Sequence, residues 1–180
     1  LAFYNDLNDG RSRESSLYSL GHMYFDAGRF DESLKSFTKG LVLARKIKLK
    51  DSISSGCNRI GAVYYEMGDY DKAVKFIEEA IKLDREIGRD LHKKVSMLEL
   101  FACFKNLNKE FDLQKIKELE KENFIENLES RDTFLFYYVS GNASYLKKAY
   151  ELLFENAKNM EEVQSNEYLK FPNSKKIIEE

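Results

Sequence analysis

Two stretches of the chain, Leu17–Lys50 (LYSLGHMYFDAGRFDESLKSFTKGLVLARKIKLK) and Cys57–Asp90 (CNRIGAVYYEMGDYDKAVKFIEEAIKLDREIGRD), are copies of one pattern. Shifted by forty positions they share eight identical residues in 34, whereas average composition would give about two. The identities are Gly21/Gly61, Tyr24/Tyr64, Gly28/Gly68, Asp31/Asp71, Lys35/Lys75, Leu43/Leu83, Arg45/Arg85 and Ile47/Ile87. Because the matches fall at helical spacing, they indicate an internal repeat built from helices.

Each copy predicts a helical hairpin. In the second copy, Cys57, Ile60, Gly61 and Tyr64 recur at three- and four-residue intervals and mark one face of a first helix. The segment Gly68–Asp71 then interrupts the period, with a glycine suited to end one helix and aspartates suited to begin the next. Such a hairpin has apolar residues on more than one face, so it needs a stacked neighbour to bury them.

Composition favours an all-α protein. Of the 180 residues, 43% are hydrophobic and 33% charged, which is typical of neither a disordered nor a membrane-embedded chain. The single proline, Pro172, lies near the end, and a β-sandwich or barrel would need frequent Gly/Pro turns. The cysteines, Cys57 and Cys103, lie within apolar helical patterns, so two buried thiols in a reducing compartment are expected rather than a disulfide.

This pattern resembles the tetratricopeptide repeat. The motif positions map to Leu17, Leu20, Gly21, Tyr24, Ser33, Phe37 and Gly40, and to Cys57, Ile60, Gly61, Tyr64, Ala73, Ile77 and Ala80. Arg45 and Arg85 stand where the family usually has a proline. The forty-residue period is similar to the variant seen in kinesin light chains, bacterial peptide receptors and regulatory ATPases. The resemblance implies an all-α right-handed superhelix of three to four helical hairpins with a C-terminal capping helix.

On this basis residues 1–180 are expected to form a single solenoid. Residues 1–9 should end a preceding repeat, with Asp9 and Gly10 closing its helix, so that further repeats would lie upstream. The expected units are repeat 1 over 14–50, repeat 2 over 54–90, a degenerate repeat 3 over 94–128, a short repeat 4 over 132–160 and a C-terminal cap over 161–180. Residues 145–157 and 166–178 are similar to the end of repeat domains in multidomain bacterial signalling proteins, such as nucleotide cyclases, kinases and transcriptional activators.

Little in the sequence supports catalysis. The histidines, His22 and His92, are seventy residues apart, and no phosphate-binding loop, nucleophile elbow or zinc motif is present. The acidic residues occur as helical-surface charges beside lysines. We therefore expect no enzyme activity, no cofactor and no metal site. The net charge of −2, and a basic stretch at Arg45–Lys50 that the second copy does not continue, argue against nucleic acid and membranes as partners.

In a stack of such hairpins, the first helices would line a groove that can bind a partner. The predicted contact residues are Tyr18, His22, Phe25, Asn58, Arg59, Tyr65, Glu66, Leu98 and Lys105. Asn58 could clamp a peptide backbone, because its amide both donates and accepts hydrogen bonds, and Arg59 could hold a carboxylate. Tyr18, Phe25 and Tyr65 would be apolar anchors. The alternative is that Phe25 and Tyr65 pack against the adjoining helix and that Arg59 pairs with a nearby glutamate.

The function expected from these features is a non-catalytic scaffold that binds a protein or peptide, within a larger regulator in the cytoplasm. One alternative is a sensor that binds a signalling peptide and controls an attached cyclase, kinase or transcription regulator. Another is a self-association module that forms a homodimer through the apolar segment Phe134–Val139.

Overall fold

The computed structural model describes residues 2–121, 128–170 and 172–180. Within those ranges all of the regular secondary structure is helical, and the helices follow one another in packed hairpins. The prediction of an all-α fold is therefore confirmed. The chain divides into two compact units, residues 1–103 and 104–180. That residues 1–180 form a single solenoid stays a prediction.

The first unit contains α1 (Ala2–Asp26), α2 (Phe30–Lys46), α3 (Lys50–Glu66), α4 (Tyr70–Ile87) and most of α5 (Asp90–Asn106), whose last three residues belong to the second unit. Each of the helices α1 to α4 packs against the next one, and Cys103 of α5 packs against Ile77 and Ile81 of α4. The helix end predicted at Asp9 and Gly10 is wrong, because α1 continues through both. Gly10 is buried, and a Cβ there would lie 3.2 Å from Cγ2 of Ile47, so this glycine serves close packing against the end of α2. That residues 1–9 end a preceding repeat stays a prediction.

The turn inside each hairpin has the same geometry in both copies. Gly28 and Gly68 adopt left-handed φ angles of 72° and 79°, a conformation that costs glycine nothing. The next residue closes the helix by a backbone bond, from Arg29 N to Tyr24 O at 2.8 Å and from Asp69 N to Tyr64 O at 2.9 Å. Asp69 also caps α4 by accepting from Lys72 N at 3.2 Å. The predicted roles of Gly68 and Asp69 are thus confirmed.

The turn that follows each hairpin is also repeated, with a different residue at its left-handed position. Gly88 has a φ of 73°, while Lys48, forty residues earlier, has a φ of 59°. Leu49 N bonds to Ala44 O at 3.2 Å, and Arg89 N bonds to Asp84 O at 2.9 Å. The first copy therefore holds a lysine side chain in a backbone conformation that L-residues avoid.

Large side chains in the first unit fill gaps that glycines leave. A Cβ on Gly21 would collide with the ring of Phe37, one on Gly40 with the ring of Tyr18, and one on Gly61 would lie 2.6 Å from Cγ1 of Ile77. Tyr18, Phe37 and Ile77 are 5%, 1% and 0% exposed. The small repeat positions therefore set how closely neighbouring helices approach.

The second unit contains α6 (Leu113–Lys121), α7 (Ser130–Ser140), α8 (Ala143–Lys158), α9 (Glu162–Leu169) and α10 (Pro172–Glu179). Gly141 takes the left-handed conformation after α7, and Asn142 caps α8 by accepting from Ser144 N at 3.1 Å. These two helices form a hairpin, and that residues 132–160 are a fourth repeat stays a prediction. Residues 122–127, within predicted repeat 3, lie outside the described residues.

The apolar segment Phe134–Val139 is not an exposed patch. Leu135, Phe136 and Val139 are buried within the second unit, and the Phe136 ring meets the Tyr145 ring edge-on at 4.7 Å. Phe134, Tyr137 and Tyr138 are half-buried, and that this segment forms a homodimer stays a prediction. Its apolar residues already form the contact between α7 and α8.

Replacing Lys48 by glycine should stabilise the chain. The change removes a left-handed lysine that costs about 1–2 kcal/mol, partly offset by the greater freedom of glycine in the unfolded state. We expect the free energy of unfolding in urea to rise by up to about 1 kcal/mol. The matched control is Lys39→Gly, at an exposed position inside α2, which should lower that energy by about 1 kcal/mol. If both substitutions changed the free energy of unfolding in the same direction, the left-handed conformation of Lys48 would not carry the expected cost.

Candidate functional site

Three of the predicted contact residues lie in the interior, and two of them, Tyr18 and Phe25, were predicted to be apolar anchors. Tyr18, Phe25 and Leu98 are 5%, 7% and 0% exposed. The Phe25 ring packs edge-on against Phe30 with 5.8 Å between centroids, and the Tyr18 ring meets Phe37 at 6.2 Å. The prediction that these side chains present surface to a partner is wrong, because they fill space between neighbouring helices.

Asn58 is engaged inside the first unit. Its Nδ2 donates to Ser96 Oγ at 3.0 Å and to Glu99 Oε2 at 2.5 Å, which ties α3 to α5. Glu99 is 3% exposed, so the bond gives a buried carboxylate a donor. The predicted peptide clamp would need both ends of the amide, and its donor end is already in use.

The remaining predicted residues have other surroundings. Tyr65 is half-buried with its ring edge-on to Tyr70 at 5.5 Å, and Glu66 is also half-buried. Lys105 belongs to the second unit, where its Nζ donates to Tyr138 O and lies 4.5 Å from the centre of the Tyr138 ring. These residues stay candidate contacts, since nothing in the structure tests that role.

The structure does bring Tyr18, His22 and Arg59 together, at a cavity of about 260 Å³ on α1 and α3. We call this cavity the α1–α3 pocket. Its lining is mostly charged or hydroxyl-bearing and consists of Glu14, Ser15, Tyr18, Ser19, His22, Asp51, Ser52, Ser55, Arg59 and Arg89. The groove predicted from the first helices is thus represented by a polar pocket that has one aromatic wall.

Two stripes of helix surface line the α1–α3 pocket. On α1, Glu14, Tyr18 and His22 follow one another at intervals of four residues, and on α3 Asp51, Ser55 and Arg59 do the same. Residues four apart lie on the same face of a helix, about one turn above each other. Sequence reasoning missed Glu14, Asp51, Ser52 and Arg89, and the four-residue spacing was the signal that could have found the first two.

Arg59 is held in place by two neighbours. Its guanidinium carbon lies 4.6 Å from the centre of the Tyr18 ring, and its Nε donates to His22 Nε2 at 2.7 Å. Burial, followed by the charge of Arg59, lowers the pKa of His22 to about 4. The imidazole is therefore neutral at physiological pH and can accept this bond. In the described part of the chain Arg59 donates its hydrogen bond to His22 rather than to a glutamate, although Glu14 attracts its charge.

Glu14 and Arg89 complete the charges of the pocket. Glu14 is 6% exposed, and its burial raises the pKa of the carboxyl, against the attraction of Arg59 and a side-chain hydrogen bond with Ser52. Arg89 donates to Asp51 O at 3.0 Å and to Ser55 Oγ at 3.1 Å, and it lies 3.7 Å from the buried Asp84. Arg89 therefore joins the start of α5 to the first turns of α3.

The α1–α3 pocket offers hydrogen-bond donors and acceptors from its serine, tyrosine, arginine and acidic side chains, which are the groups that recognition of a polar ligand uses. In the described part of the chain, no group of three His, Cys, Asp or Glu side chains is placed to hold a metal ion. Cys57 and Cys103 are buried and are not joined in a disulfide, and burial raises the pKa of Cys57 to about 12, which suits an inert structural thiol.

Comparison with known families agrees with this geometry. The family model described as tetratricopeptide repeat matches residues 12–86. This segment is therefore similar to tetratricopeptide repeats. The match begins within α1, covers α2 and α3, and ends one residue before the end of α4. It includes every residue that lines the α1–α3 pocket except Arg89. A search among curated proteins gave no match. None of the described helices is both long enough and apolar enough to cross a bilayer.

The Asn58 bond between repeat helices can be tested by substitution. Asn58→Ala removes a donor from buried Glu99 and should lower the free energy of unfolding by about 1–3 kcal/mol. Asn58→Asp places a second carboxylate beside Glu99 and should cost at least as much at neutral pH. Chemical denaturation measures both. If Asn58→Asp proves as stable as the unsubstituted chain, the bond does not contribute in solution.

The neutral state of His22 predicts a pH dependence. Because its folded-state pKa is about 4, below the ordinary 6.5, the unfolded state binds the proton first as pH falls. The free energy of unfolding should therefore decrease as the pH is lowered from about 7 to about 5. The decrease should be small, because the His22 side chain is exposed at the rim of the α1–α3 pocket. His22→Gln keeps an acceptor for Arg59 without titrating and should reduce this slope.

Two other residues, His92 and Glu14, also contribute to the pH dependence of stability. Burial and then Arg89 also lower the pKa of His92, so the variant should keep part of the slope. The raised pKa of Glu14 acts in the opposite direction at lower pH, which is why the range stops near pH 5. An identical slope in the variant and the unsubstituted chain would show that His22 is not held neutral.

Proposed function

We propose that this chain is a non-catalytic scaffold module that binds a protein or peptide as part of a larger intracellular regulator. Tetratricopeptide repeats generally mediate protein–protein interactions. The α1–α3 pocket supports this role, because it presents charged and hydroxyl groups on the first helices of consecutive repeats. Cys57 and Cys103 are buried cysteines outside any disulfide, which is typical of proteins in a reducing compartment and supports the intracellular setting.

The observation that carries the proposal is that the α1–α3 pocket is small and that its arginine side chains are held in fixed positions. At about 260 Å³ it is smaller than the roughly 300–1,000 Å³ of cavities that enclose whole ligands. Arg59 and Arg89, two of its polar side chains, are already positioned by the hydrogen bonds that they donate to His22 of α1 and Ser55 of α3. Such a cavity suits one or two side chains of a partner, with the rest of the contact spread over the surrounding helix surface.

Blocking the pocket tests the proposal. A labelled chain is applied to an array of random peptides, and affinities for the peptides it captures are measured by fluorescence anisotropy. Ser19 is exposed and lines the pocket, so Ser19→Trp should fill the entrance without disturbing the fold. We expect this variant to bind the captured peptides at least tenfold more weakly, as for the loss of a principal contact.

The matched control is Ser16→Trp. Ser16 is also exposed on α1, and its Oγ donates to Ser12 O, but it is not part of the pocket lining. Peptide affinity should therefore be unchanged in this variant. Equal affinities for the Ser19 and Ser16 variants would show that the pocket is not the binding surface, and an array without any captured peptide would overturn the peptide-binding role.

A further inference from the structure

We propose that the α1–α3 pocket binds a single carboxylate of its protein partner, at the two terminal nitrogens of Arg59. This inference rests on the proposed function and names the chemistry of that same site. The carboxylate can belong to an acidic side chain or to the end of a chain, since both present the same pair of oxygens.

The first argument is the geometry of the guanidinium. Its Nε is used by His22 at 2.7 Å, and one face of the group lies over Tyr18. Within the described part of the chain, no hydrogen bond or ion pair is recorded for Nη1 or Nη2. These two nitrogens form the end edge of the planar group and can donate two parallel bonds to one carboxylate.

The second argument is that this edge is already oriented. An arginine side chain in water loses much rotational freedom when it binds, whereas the stacking on Tyr18 and the bond to His22 restrict Arg59 before a partner arrives. His22 contributes an acceptor without a negative charge, because its neutral imidazole holds Nε but does not neutralise the cation. Burial lowers the pKa of Arg59, against the attraction of Tyr18 and Glu14, so an incoming anion would further stabilise the buried cation.

The third argument concerns which anion fits. Apart from the neutral His22, four ionisable side chains line the pocket. Arg59 and Arg89 are cationic, and Glu14 and Asp51 are acidic. Arg89 is also 3.7 Å from Asp84, so it has little charge to spare. One negative charge can be accepted at Arg59, while the second charge of a phosphate would face Glu14 and Asp51 at a like-charge cost. This balance selects a carboxylate over a phosphate.

The test uses three short peptides that differ only in their acidic group. They are acetyl-Ala-Glu-Ala-amide, which carries a side-chain carboxylate, acetyl-Ala-Gln-Ala with a free terminal carboxylate, and acetyl-Ala-Gln-Ala-amide, which carries none. Each is titrated at constant ionic strength into the chain labelled with isotopic arginine, while the Arg59 Nε–H resonance is followed. We expect saturable shifts with the carboxylate peptides and none with the neutral one. The stronger of the two acidic peptides identifies the source, and inorganic phosphate should bind more weakly than either.

Matched variants assign the effect to Arg59. Binding to the variants is followed through the resonances of isotope-labelled peptide. Arg59→Gln should weaken binding of the acidic peptides about tenfold or more. Arg59→Lys keeps the charge but loses the paired donors, so its affinity should lie between those of the unsubstituted chain and Arg59→Gln. Glu14→Gln removes a like charge from the pocket and should tighten binding about twofold to fivefold. Arg85→Gln, at an exposed position of α4, should have no effect.

Several results would overturn the inference. These are equal shifts with the neutral and acidic peptides, unchanged binding in a folded Arg59→Gln chain, weaker binding in Glu14→Gln, or tighter binding of phosphate than of carboxylate. If array peptides lose affinity with Ser19→Trp but not with Arg59→Gln, the scaffold function stands and the carboxylate assignment fails. If Ser19→Trp has no effect on any peptide, the proposed function itself fails.

Discussion

The fit of the Tyr18 ring among α1, α2 and α3 is the contact on which the rest of the first unit depends. The ring comes from α1 and lies against Gly40 of α2 and Gly56 of α3, where any Cβ would overlap it. Its hydroxyl donates to Ser52 O at 2.9 Å, in the first turn of α3. Because a glycine is needed on two different helices to make room for one ring, this contact fixes how the first repeat meets the second.

The same ring joins packing to recognition. One part of Tyr18 fills the space between repeats, and its face supports the guanidinium of Arg59. Arg59 in turn is bonded to His22, one helical turn along α1 from Tyr18. A groove residue is thereby oriented by the core contact beneath it, and the α1–α3 pocket can keep its shape before a partner binds. Where the repeats meet, stability and binding therefore depend on the same side chains.

The repeat period was sufficient to predict most of the first unit, because its signals are local. Glycines at 28 and 68 mark turns with the same left-handed geometry, and the spacing of apolar residues marks the helices between them. Local signals misled at Gly10, where a glycine next to an aspartate suggested a helix end. The structure instead uses that glycine for close contact with Ile47, a choice that depends on a residue 37 positions away in sequence.

The site was harder to predict, because it depends on which way each helix is rotated. A first helix in such a stack contacts neighbours on both sides, so an offset of one residue decides whether Phe25 faces a groove or the interior. Asn58 looked free from sequence, since Ser96 and Glu99 lie 38 and 41 positions away. The role of Arg89 could not be predicted for a similar reason, because its hydrogen bonds to α3 join residues that are 34 and 38 positions apart in sequence. Tyr18, His22 and Arg59 were found, although Tyr18 acts there as a support rather than as an anchor.

The unfolding free energy of Gly40→Ala tests this account most directly. Gly40 lies inside α2, where helix propensity alone would make alanine more stable than glycine by about 1 kcal/mol. The account predicts the opposite sign, a loss of about 1–3 kcal/mol as for an overpacked core. The new methyl group would displace the Tyr18 ring, because Cδ1 of that ring lies only 2.6 Å from the Cβ position. A gain in stability would contradict the central role given to this contact.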